Sequence, residues 1–186
     1  MVYLLLGTGF EETEAIAPLD LMRRAGIEVQ TVGLTDWIVV GSHGIPVQAD
    51  MMIQHLQLDL KQNPDAADMV ILPGGMGGVR SIRDCPAALQ AVSEIWANNH
   101  FVAAICAAPT VLAHLHITDG RKATCYPGCE ESMGSAVMVP DQAVVRDGKL
   151  ITGTSAGCAV KFGLALIAAL KGEEAARTIE KQIVIR

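Results

Sequence analysis

Short apolar runs that do not alternate with polar residues recur along the chain. They occupy residues 2–6, 27–32, 69–72, 101–105 and 150–152. Runs of this length and uniformity are typical of strands buried on both faces, as in a parallel sheet covered by helices. The pattern therefore predicts an α/β protein with helices on both sides of its sheet.

Helical patterns lie between several of these runs. Residues 12–25 form one, which ends at Gly26, and residues 86–98 form another, with a proline in the expected first turn. Two more helices are predicted over residues 107–115 and 159–170. A repeated order of strand and helix indicates a doubly wound sheet, whose ligand site lies at the carboxyl ends of the strands.

Two segments interrupt this order. Residues 37–53 contain short β-branched stretches separated by turn-forming residues, which predicts a hairpin appended to the sheet. Residues 137–152 resemble another strand pair that turns at Asp147 and Gly148, because Asp-Gly favours a tight hairpin turn. Two antiparallel additions to the parallel sheet are thus expected.

The composition limits the class of protein. The chain has 186 residues, of which 51% are hydrophobic and 18% charged, and its mean hydropathy is +0.35. This length favours a single domain over residues 1–186, and the apolar content excludes a disordered chain. The longest apolar helical candidate, residues 162–170, falls short of the roughly 18 to 20 residues that a membrane-spanning helix needs.

Charge and cysteine content narrow the choice of partners and compartment. The net charge is −6, and the basic residues form no cluster beyond Arg23 and Arg24, which argues against nucleic acid and anionic membranes as partners. The five cysteines are odd in number and widely spaced, unlike a disulfide framework. We therefore expect free thiols, a cytoplasmic location, and small molecules or other proteins as partners.

The strongest chemical signal is the stretch FVAAICAAPT at residues 101–110, in which an apolar strand runs directly into Cys106. Small residues follow at Ala107 and Ala108, as a sharp strand-to-helix turn requires. A cysteine at such a turn faces the N–H groups of the helix, which lower the pKa of its thiol and make it nucleophilic and oxidisable. The alternative is a buried structural cysteine, the commonest environment of a free thiol.

A second signal is the stretch ILPGGMGG at residues 71–78, where a strand ends in a proline and two glycines. Because they lack Cβ, Gly74 and Gly75 let the backbone approach a ligand and direct N–H groups into the crevice, as an oxyanion hole requires. The alternative is an ordinary tight turn. A phosphate loop is excluded, because no Lys-Ser or Lys-Thr pair follows the glycines.

A third signal is the acidic start of the first predicted helix. Glu11 and Glu12 are explained as residues that stabilise the helix dipole. Glu14 differs, because Pro18 has no N–H for its carbonyl oxygen, and the disturbed helix can turn this side chain into the crevice. A carboxyl group beside a thiol can be protonated and donate a hydrogen bond to the thiolate.

A metal site is not expected. Cys125, Cys129 and Cys158 have no histidine close in sequence, and their spacing matches zinc patterns poorly. None of the five histidines is an obvious partner for Cys106.

These motifs resemble the ThiJ/PfpI superfamily, in the subgroup that contains YajL and the Parkinson-associated protein deglycase. The matching stretches extend over nearly the whole chain: GFEETEAIAPLDLMRRAGIEV, DMVILPGGMGG, AAICAAPTVLA, KATCYP, DGKLITG and FGLALIAALKG. The resemblance implies a flavodoxin-like three-layer α/β/α sandwich with a mostly parallel sheet, of the class I glutamine amidotransferase type, that forms a homodimer. It makes Cys106 the elbow cysteine and Glu14 the carboxyl that hydrogen-bonds it. Gly75 and Ala107 match the backbone donors beside the thiol.

The same resemblance implies a function in carbonyl or oxidative stress. Members are assigned glyoxalase, protein deglycase and stress-chaperone activities, and their cysteine oxidises readily to a sulfinate. The expected substrate is methylglyoxal, one of its adducts or a glycated protein, and no cofactor is expected. Two alternatives remain open: a non-enzymatic redox sensor or chaperone that depends on oxidised Cys106, and a peptidase or amidase as in other branches.

Three positions depart from the family pattern. Tyr126 stands where many members have a histidine, and a phenol with a pKa of about 10 is a poor general base at neutral pH. The YajL-like branch also has an aromatic residue there, so we expect Tyr126 to form a wall of the site. Within residues 152–160, where relatives often carry a Gly-Pro pair, this chain has Cys158. His43 stands where close relatives tend to have an arginine that reaches the site across the dimer.

Overall fold

The central element of the fold is a seven-stranded sheet. A computed structural model describes residues 1–185 of the chain. Eleven strands lie within these residues: β1 (Val2–Leu6), β2 (Val29–Gly33), β3 (Ile38–Val40), β4 (Pro46–Gln48), β5 (Met51–Met52), β6 (Met69–Leu72), β7 (Phe101–Ile105), β8 (Lys122–Ala123), β9 (Val137–Met138), β10 (Val144–Asp147) and β11 (Leu150–Gly153). The central sheet has the order β10-β11-β7-β6-β1-β2-β5, and two further pairs, β3-β4 and β8-β9, lie apart from it.

Strand direction agrees with the expected mostly parallel sheet. Every neighbouring pair of the central sheet is parallel except β10 and β11, which are antiparallel. The described residues also contain seven α-helices: α1 (Glu12–Arg24), α2 (Ile53–Gln62), α3 (Met76–Arg83), α4 (Pro86–Ala97), α5 (Pro109–His114), α6 (Ala159–Lys171) and α7 (Glu173–Gln182).

The helices cover both faces of this sheet. Helices α2, α3, α4 and α5 contribute to one apolar core, and α1, α6 and α7 contribute to the other. Side chains of β1 alternate between the two cores, with Leu5 in the first and with Leu4 and Leu6 in the second. Burial on both faces explains why the strands are uniformly apolar, and it confirms the three-layer α/β/α sandwich.

The predicted helix bounds agree with the structure except at one start. Helices α1, α4 and α6 match the predicted bounds to within one residue at each end. Helix α5 begins two residues later than predicted, at Pro109, because the chain between β7 and the helix first makes a turn. Helix α1 continues through Pro18, and Gly163 of α6 permits the close approach, since a Cβ there would lie 3.0 Å from the Cα of Pro18.

Three helices were not predicted, namely α2, α3 and α7. The start of α3 lies within the glycine-rich stretch, where helix propensity is low. Its glycines are explained by packing against the loop after β1: a Cβ on Gly77 would lie 3.0 Å from the Cα of Gly9, and one on Gly78 would lie 2.7 Å from the Cα of Phe10. Tertiary contact therefore overrides local propensity here.

The two predicted hairpins are present with changes. Strands β3 and β4 are antiparallel, but they form a sheet of their own and do not extend the central one. Strands β10 and β11 turn at Gly148, whose φ is +63°. Strand β9 lies outside this pair and instead runs parallel to β8.

The topology brings four loops to one edge of the sheet. Strands β11, β7, β6 and β1 are consecutive neighbours and parallel. The residues that follow them therefore meet at their common carboxyl edge, where an open α/β sheet binds its ligands.

Within residues 1–185, no helix combines the length and the apolar character needed to cross a membrane.

Candidate active site

Cys106 occupies a sharp turn directly after β7. Its φ is +66°, in the left-handed region that residues with a side chain rarely adopt. Hydrogen bonds hold this backbone on both sides: the N–H of Cys106 donates to the carbonyl of Gly153 at 2.9 Å, and its carbonyl accepts from the N–H of Tyr126 at 2.8 Å. The turn presents a half-buried thiol at the edge of the sheet, as the sequence predicts for a nucleophile elbow.

Glu14 lies against this thiol. Its side chain and that of Cys106 affect each other's pKa, and Glu14 is only 1% exposed. The N–H of Gly74 donates to Glu14 Oε2 at 2.9 Å, and the backbone of Ala156 makes a smaller contribution that lowers the pKa of this carboxyl. Glu11 caps α1 by accepting from the N–H of Glu14 at 2.7 Å, which fixes the turn that carries the carboxyl.

The glycine pair leaves room for the contact between the two side chains. A Cβ on Gly74 would lie 2.4 Å from Glu14 Oε2 and 2.6 Å from the Cβ of Cys106. Gly75 has a φ of +82° and a Cβ there would lie 2.5 Å from the carbonyl oxygen of Gly9, so the loop requires glycine at both positions.

The two predicted donors of the glycine pair have different partners. The N–H of Gly74 is engaged by Glu14. The N–H groups of Gly75 and Ala107 instead stabilise the charged form of the Cys106 sulfur. Among the predicted donors, these two are therefore available to stabilise charge at the reacting atom.

Burial is the largest influence on the pKa values of Glu14 and Cys106. It raises the pKa of Glu14 to about 7, so this carboxyl exchanges its proton near neutral pH. Burial also raises the pKa of Cys106, to about 12, and the negative charge of Glu14 adds to the rise. The predicted lowering of the thiol pKa by the helix N-terminus is therefore wrong in direction, because desolvation and a neighbouring carboxylate outweigh the two amides.

Glu12 has a structural partner that the sequence interpretation missed. Its carboxylate accepts from the N–H of His43 at 2.7 Å, from Nδ1 of His43 at 2.8 Å and from the N–H of Ile45 at 3.4 Å. These residues belong to the turn between β3 and β4. Glu12 thus ties the hairpin to α1, a role beyond the predicted stabilisation of the helix dipole. No sequence signal links the two segments, which are 31 residues apart.

Tyr126 stands beside the elbow and contributes through its backbone. Its side chain is 48% exposed, and its N–H supports the Cys106 carbonyl. Cys125 is buried in a small cluster with Met133, against which Cys129 packs. All five cysteines are free thiols.

Three of the five histidines form hydrogen bonds elsewhere in the described residues. His43 binds Ser42 and Glu12, His100 binds Asp65 and His116 binds Asp119. None of these hydrogen bonds reaches Cys106.

One cluster in residues 1–185 has ligand atoms close enough for a metal ion, namely Glu11, Glu12 and His43, within 4.8 Å of one another. Its carboxylates already accept protein hydrogen bonds, Glu11 from the N–H of Glu14 and Glu12 from the hairpin. Hydrogen bonding within the protein accounts for this cluster.

Comparison with known proteins decides the family. The sequence model of the DJ-1/PfpI family matches residues 1–169. The chain belongs to the DJ-1/PfpI family. Among curated relatives in this family, the Parkinson disease protein 7 homologue of Danio rerio is 32% identical over 187 residues, which cover 98% of this chain and 95% of the relative.

Solved structures of DJ-1 proteins share the fold. The crystal structure of Drosophila melanogaster DJ-1beta has a TM-score of 0.92 and 32% identity, covering 100% of this chain and 97% of that one. A DJ-1 superfamily protein from Salmonella typhimurium has a TM-score of 0.91 and 33% identity, covering 100% and 98%. An oxidized form of Toxoplasma gondii DJ-1 has a TM-score of 0.90 and 31% identity, covering 98% and 97%. The predicted family and the flavodoxin-like fold are therefore confirmed.

One residue that lowers the pKa of Glu14 was not predicted, namely Ala156. A usable signal was present, because Ala156 follows the apolar run that becomes β11. The rule that parallel strands place their carboxyl ends at one edge extends to this loop.

Proposed function

We propose that this chain is a cysteine-dependent carbonyl-stress protein of glyoxalase or deglycase type. It acts on methylglyoxal or on the adducts that methylglyoxal forms with proteins or nucleotides, and Cys106 is the nucleophile. The observation that carries the proposal is the contact between the Cys106 thiol and the buried Glu14 carboxyl, whose pKa is raised to about 7. A general base with a pKa near the working pH transfers protons most effectively.

The first step joins the thiol to the aldehyde. As the Cys106 sulfur attacks the carbonyl carbon, its proton passes to Glu14 and a C–S bond forms. Negative charge develops on the carbonyl oxygen, where the N–H groups of Gly75 and Ala107 are the proposed donors. Because Glu14 accepts the proton during the attack, the reaction does not require a free thiolate beforehand.

The later steps return the thiol. Glu14 gives its proton to the oxygen, which yields a hemithioacetal. With methylglyoxal, a proton then moves from the carbon bearing sulfur to the neighbouring carbonyl carbon through Glu14, and the product is a thioester of lactate. Water cleaves the C–S bond and releases lactate and the Cys106 thiol, so methylglyoxal and water give lactate without an external oxidant or reductant.

The test measures methylglyoxal loss and lactate formation by purified protein. Wild type should turn over methylglyoxal, Cys106→Ser should fall to background, and Glu14→Gln should lose roughly 100-fold or more in rate, as removal of a general acid-base group does. Cys85→Ser, which changes a half-buried thiol at the start of α4, serves as the matched control. Equal rates in wild type, Cys106→Ser and Glu14→Gln would overturn the proposal.

A redox sensor is the second candidate, and the oxidized form of the Toxoplasma gondii relative favours it. Peroxide would oxidise Cys106 to a sulfenic acid with release of water, and a second peroxide would give the sulfinic acid, to which a protonated Glu14 can donate. Intact-mass and peptide mass spectrometry after graded peroxide test this function. Cys106 should gain two oxygens before any other thiol, and earlier oxidation of another cysteine would contradict it.

We also propose that the chain forms a homodimer through the side of the β3-β4 hairpin. Large apolar side chains are exposed there, with Trp37 at 50%, Ile38 at 62% and Ile45 at 54%, and burial of such a patch favours association. Light scattering after gel filtration should give twice the chain mass of 19.7 kDa. Ile38→Glu should shift the protein towards the monomer, and a monomeric wild type would refute this assembly.

A further inference from the structure

Two cysteines outside the proposed active site flank one tight turn. Cys125 directly precedes the turn, and Cys129 ends it, with its N–H donating to the carbonyl of Tyr126 at 2.9 Å. Pro127 and Gly128 stand at the two central positions, and Gly128 has a φ of +95°, as in a type II turn. The chain therefore folds back between the two cysteines.

The backbone on both sides of Cys125 is anchored to the central sheet. The N–H of Thr124 donates to Oγ1 of Thr152, in β11, at 2.9 Å. The N–H of Tyr126 donates to the carbonyl of Cys106, directly after β7, at 2.8 Å. These bonds hold the chain that carries Cys125, and the turn fixes the second cysteine relative to it.

Both side chains contribute to one small apolar cluster. Cys125 is 4% exposed and belongs to this cluster with Ala123 and Met133, and Cys129 packs against it. Cys129 is half-buried, so a reagent from solvent reaches its sulfur first. A disulfide requires Cα atoms about 4.4–6.8 Å apart, and a four-residue turn holds its ends within about 7 Å. The fold thus places a buried thiol and an accessible thiol around the same turn.

We propose that Cys125 and Cys129 form a second redox site, a dithiol that exchanges reversibly with low-molecular-weight disulfides of the glutathione class. Cys106 takes no part in this exchange. The site therefore stands apart from the proposed function, whether Cys106 attacks a carbonyl compound or is oxidised.

The exchange proceeds in two steps. The thiolate of Cys129 attacks one sulfur of oxidised glutathione, which forms a mixed disulfide and releases one reduced glutathione. The sulfur of Cys125 then attacks the Cys129 sulfur, forms the protein disulfide and releases the second glutathione. The two thiol protons pass to the two released glutathione thiols, and two electrons pass from the protein to glutathione.

The surroundings of the pair favour uncharged sulfur. Burial and the negative charge of Glu130 raise the pKa of Cys125 to about 12 and also raise that of Cys129. The charge of Cys129 adds to the rise at Cys125, as neighbouring sulfurs do. The dithiol and the disulfide are both uncharged, so the cluster accommodates either form. Because the thiolate is the attacking form, the exchange should be faster at alkaline pH.

One tryptic peptide reports on this site. Residues 123–146 contain Cys125 and Cys129 and none of the other cysteines, because Lys122 and Arg146 are the nearest cleavage points. The Cys106→Ser protein is equilibrated with mixtures of reduced and oxidised glutathione at about pH 8.5, quenched with acid, alkylated and digested. Mass spectrometry then gives the fraction of the peptide that has lost two hydrogens and takes up no alkylating agent.

Comparison with the unfolded chain shows what the fold contributes. The equilibrium constant for the disulfide should be at least tenfold larger in the folded protein than in urea, because the turn already holds the two cysteines together. A tenfold difference corresponds to about 30 mV for this two-electron couple.

Single serine variants, also made in the Cys106→Ser protein, identify the order of attack. Cys125→Ser should leave Cys129 as a mixed disulfide with one glutathione, because no second thiol displaces it. Cys129→Ser should leave Cys125 reduced in the folded protein, because this residue is 4% exposed. Cys85→Ser is the matched control, since it removes a half-buried thiol from another peptide and should leave the equilibrium constant unchanged.

Two results would overturn the proposal. One is a peptide 123–146 that remains a dithiol at every ratio of reduced to oxidised glutathione. The other is a disulfide that forms as readily in urea as in the folded protein, which would make it a property of the spacing and not of the fold. If a serine variant does not fold, the comparison between folded protein and urea decides. Because Cys106 is replaced and no carbonyl compound is present, neither result bears on the proposed reaction.

Discussion

Glu12 and Glu14 stand two residues apart in the first turn of α1, and both are buried, at 7% and 1% exposure. Their acidities nevertheless move in opposite directions, because the pKa of Glu12 is lowered to about 2 and that of Glu14 is raised to about 7. Burial acts on both in the same sense, since it opposes a charged carboxylate. The partners of each carboxylate make the difference.

The β3-β4 hairpin supplies the hydrogen-bond donors of the Glu12 side chain. The side chain of His43 and the N–H groups of His43 and Ile45 donate to it, and together they outweigh the effect of burial on its pKa. Glu14 accepts from the Gly74 N–H but faces the Cys106 thiol and the charge of Glu11, and the effect of burial on its pKa prevails. One helical turn therefore holds two different carboxyl groups. Glu12 is charged at neutral pH and binds the hairpin, whereas Glu14 exchanges its proton near pH 7.

Neutralising each carboxylate should separate the two roles most clearly. Glu12→Gln should lower the free energy of unfolding at pH 7 by about 2–3 kcal/mol, because charge-assisted hydrogen bonds are lost and buried donors face an amide. Glu14→Gln should raise it by about 1 kcal/mol, because a neutral group replaces a carboxylate that burial disfavours. Urea unfolding measures both values. A loss in Glu14→Gln as large as in Glu12→Gln would remove the distinction.

The pH dependence of stability should show two limbs of opposite sign. Glu12 ionises more readily in the folded state than at its ordinary pKa of 4.5, so its contribution is complete above pH 4.5 and is lost as the pH falls towards 2. Glu14 holds its proton more tightly when folded, so its contribution is largest below pH 4.5 and declines as the pH rises to 7. Each limb should amount to about 3 kcal/mol.

Difference curves against the two glutamine variants assign these limbs. Wild type minus Glu12→Gln should leave the acid limb alone, and wild type minus Glu14→Gln should leave only the limb between pH 4.5 and 7. If both limbs persist in Glu14→Gln, the neutral limb belongs to another group.

A glycine packs against each of the two carboxylates, Gly41 against Glu12 and Gly74 against Glu14. A Cβ on Gly41 would lie 2.3 Å from Glu12 Oε1, and one on Gly74 would lie 2.4 Å from Glu14 Oε2. Each alanine variant should lose about 1–2 kcal/mol of stability through overpacking. Only Gly74→Ala should also change the rate of Cys106 alkylation, which is measured on the Cys106 peptide. An equal change in Gly41→Ala would show that the two sides of the turn are coupled.

The smallest effect is expected at Tyr126. The backbone N–H of this residue supports the elbow, while its side chain is 48% exposed. Tyr126→Phe should therefore change stability by less than about 0.5 kcal/mol and leave the pH midpoint of Cys106 alkylation in place. A shifted midpoint would give the phenol a role in the chemistry of the pair.

Much of the candidate site could be predicted because its residues follow strands. Cys106 follows β7, Gly74 and Gly75 follow β6, and Glu14 lies just beyond β1. In a parallel sheet such positions meet at one edge whatever the details of packing. The same rule applied to β11 would have found Ala156.

The position of residues relative to the strands does not predict the contact between the hairpin and Glu12 or the pKa of Cys106. Glu12 and His43 are 31 residues apart, and nothing in the local sequence specifies that they touch. The backbone amides near Cys106 do lower the pKa of its thiol, as the sequence predicts for a helix N-terminus. The net shift of the Cys106 pKa also depends on how far the fold excludes solvent from the thiol, which only tertiary packing determines.

Local sequence patterns specify the order of the elements, the uniformly apolar strands and the edge of the sheet to which the thiol, the glycines and the acidic turn belong. These follow from local patterning and from the geometry of parallel strands. Tertiary structure alone decided which carboxylate is charged and which exchanges a proton. The energy of a buried charge depends on its surrounding hydrogen-bond donors, and for Glu14 these include the N–H of Gly74, 60 residues away, which reaches the carboxyl only when the chain folds.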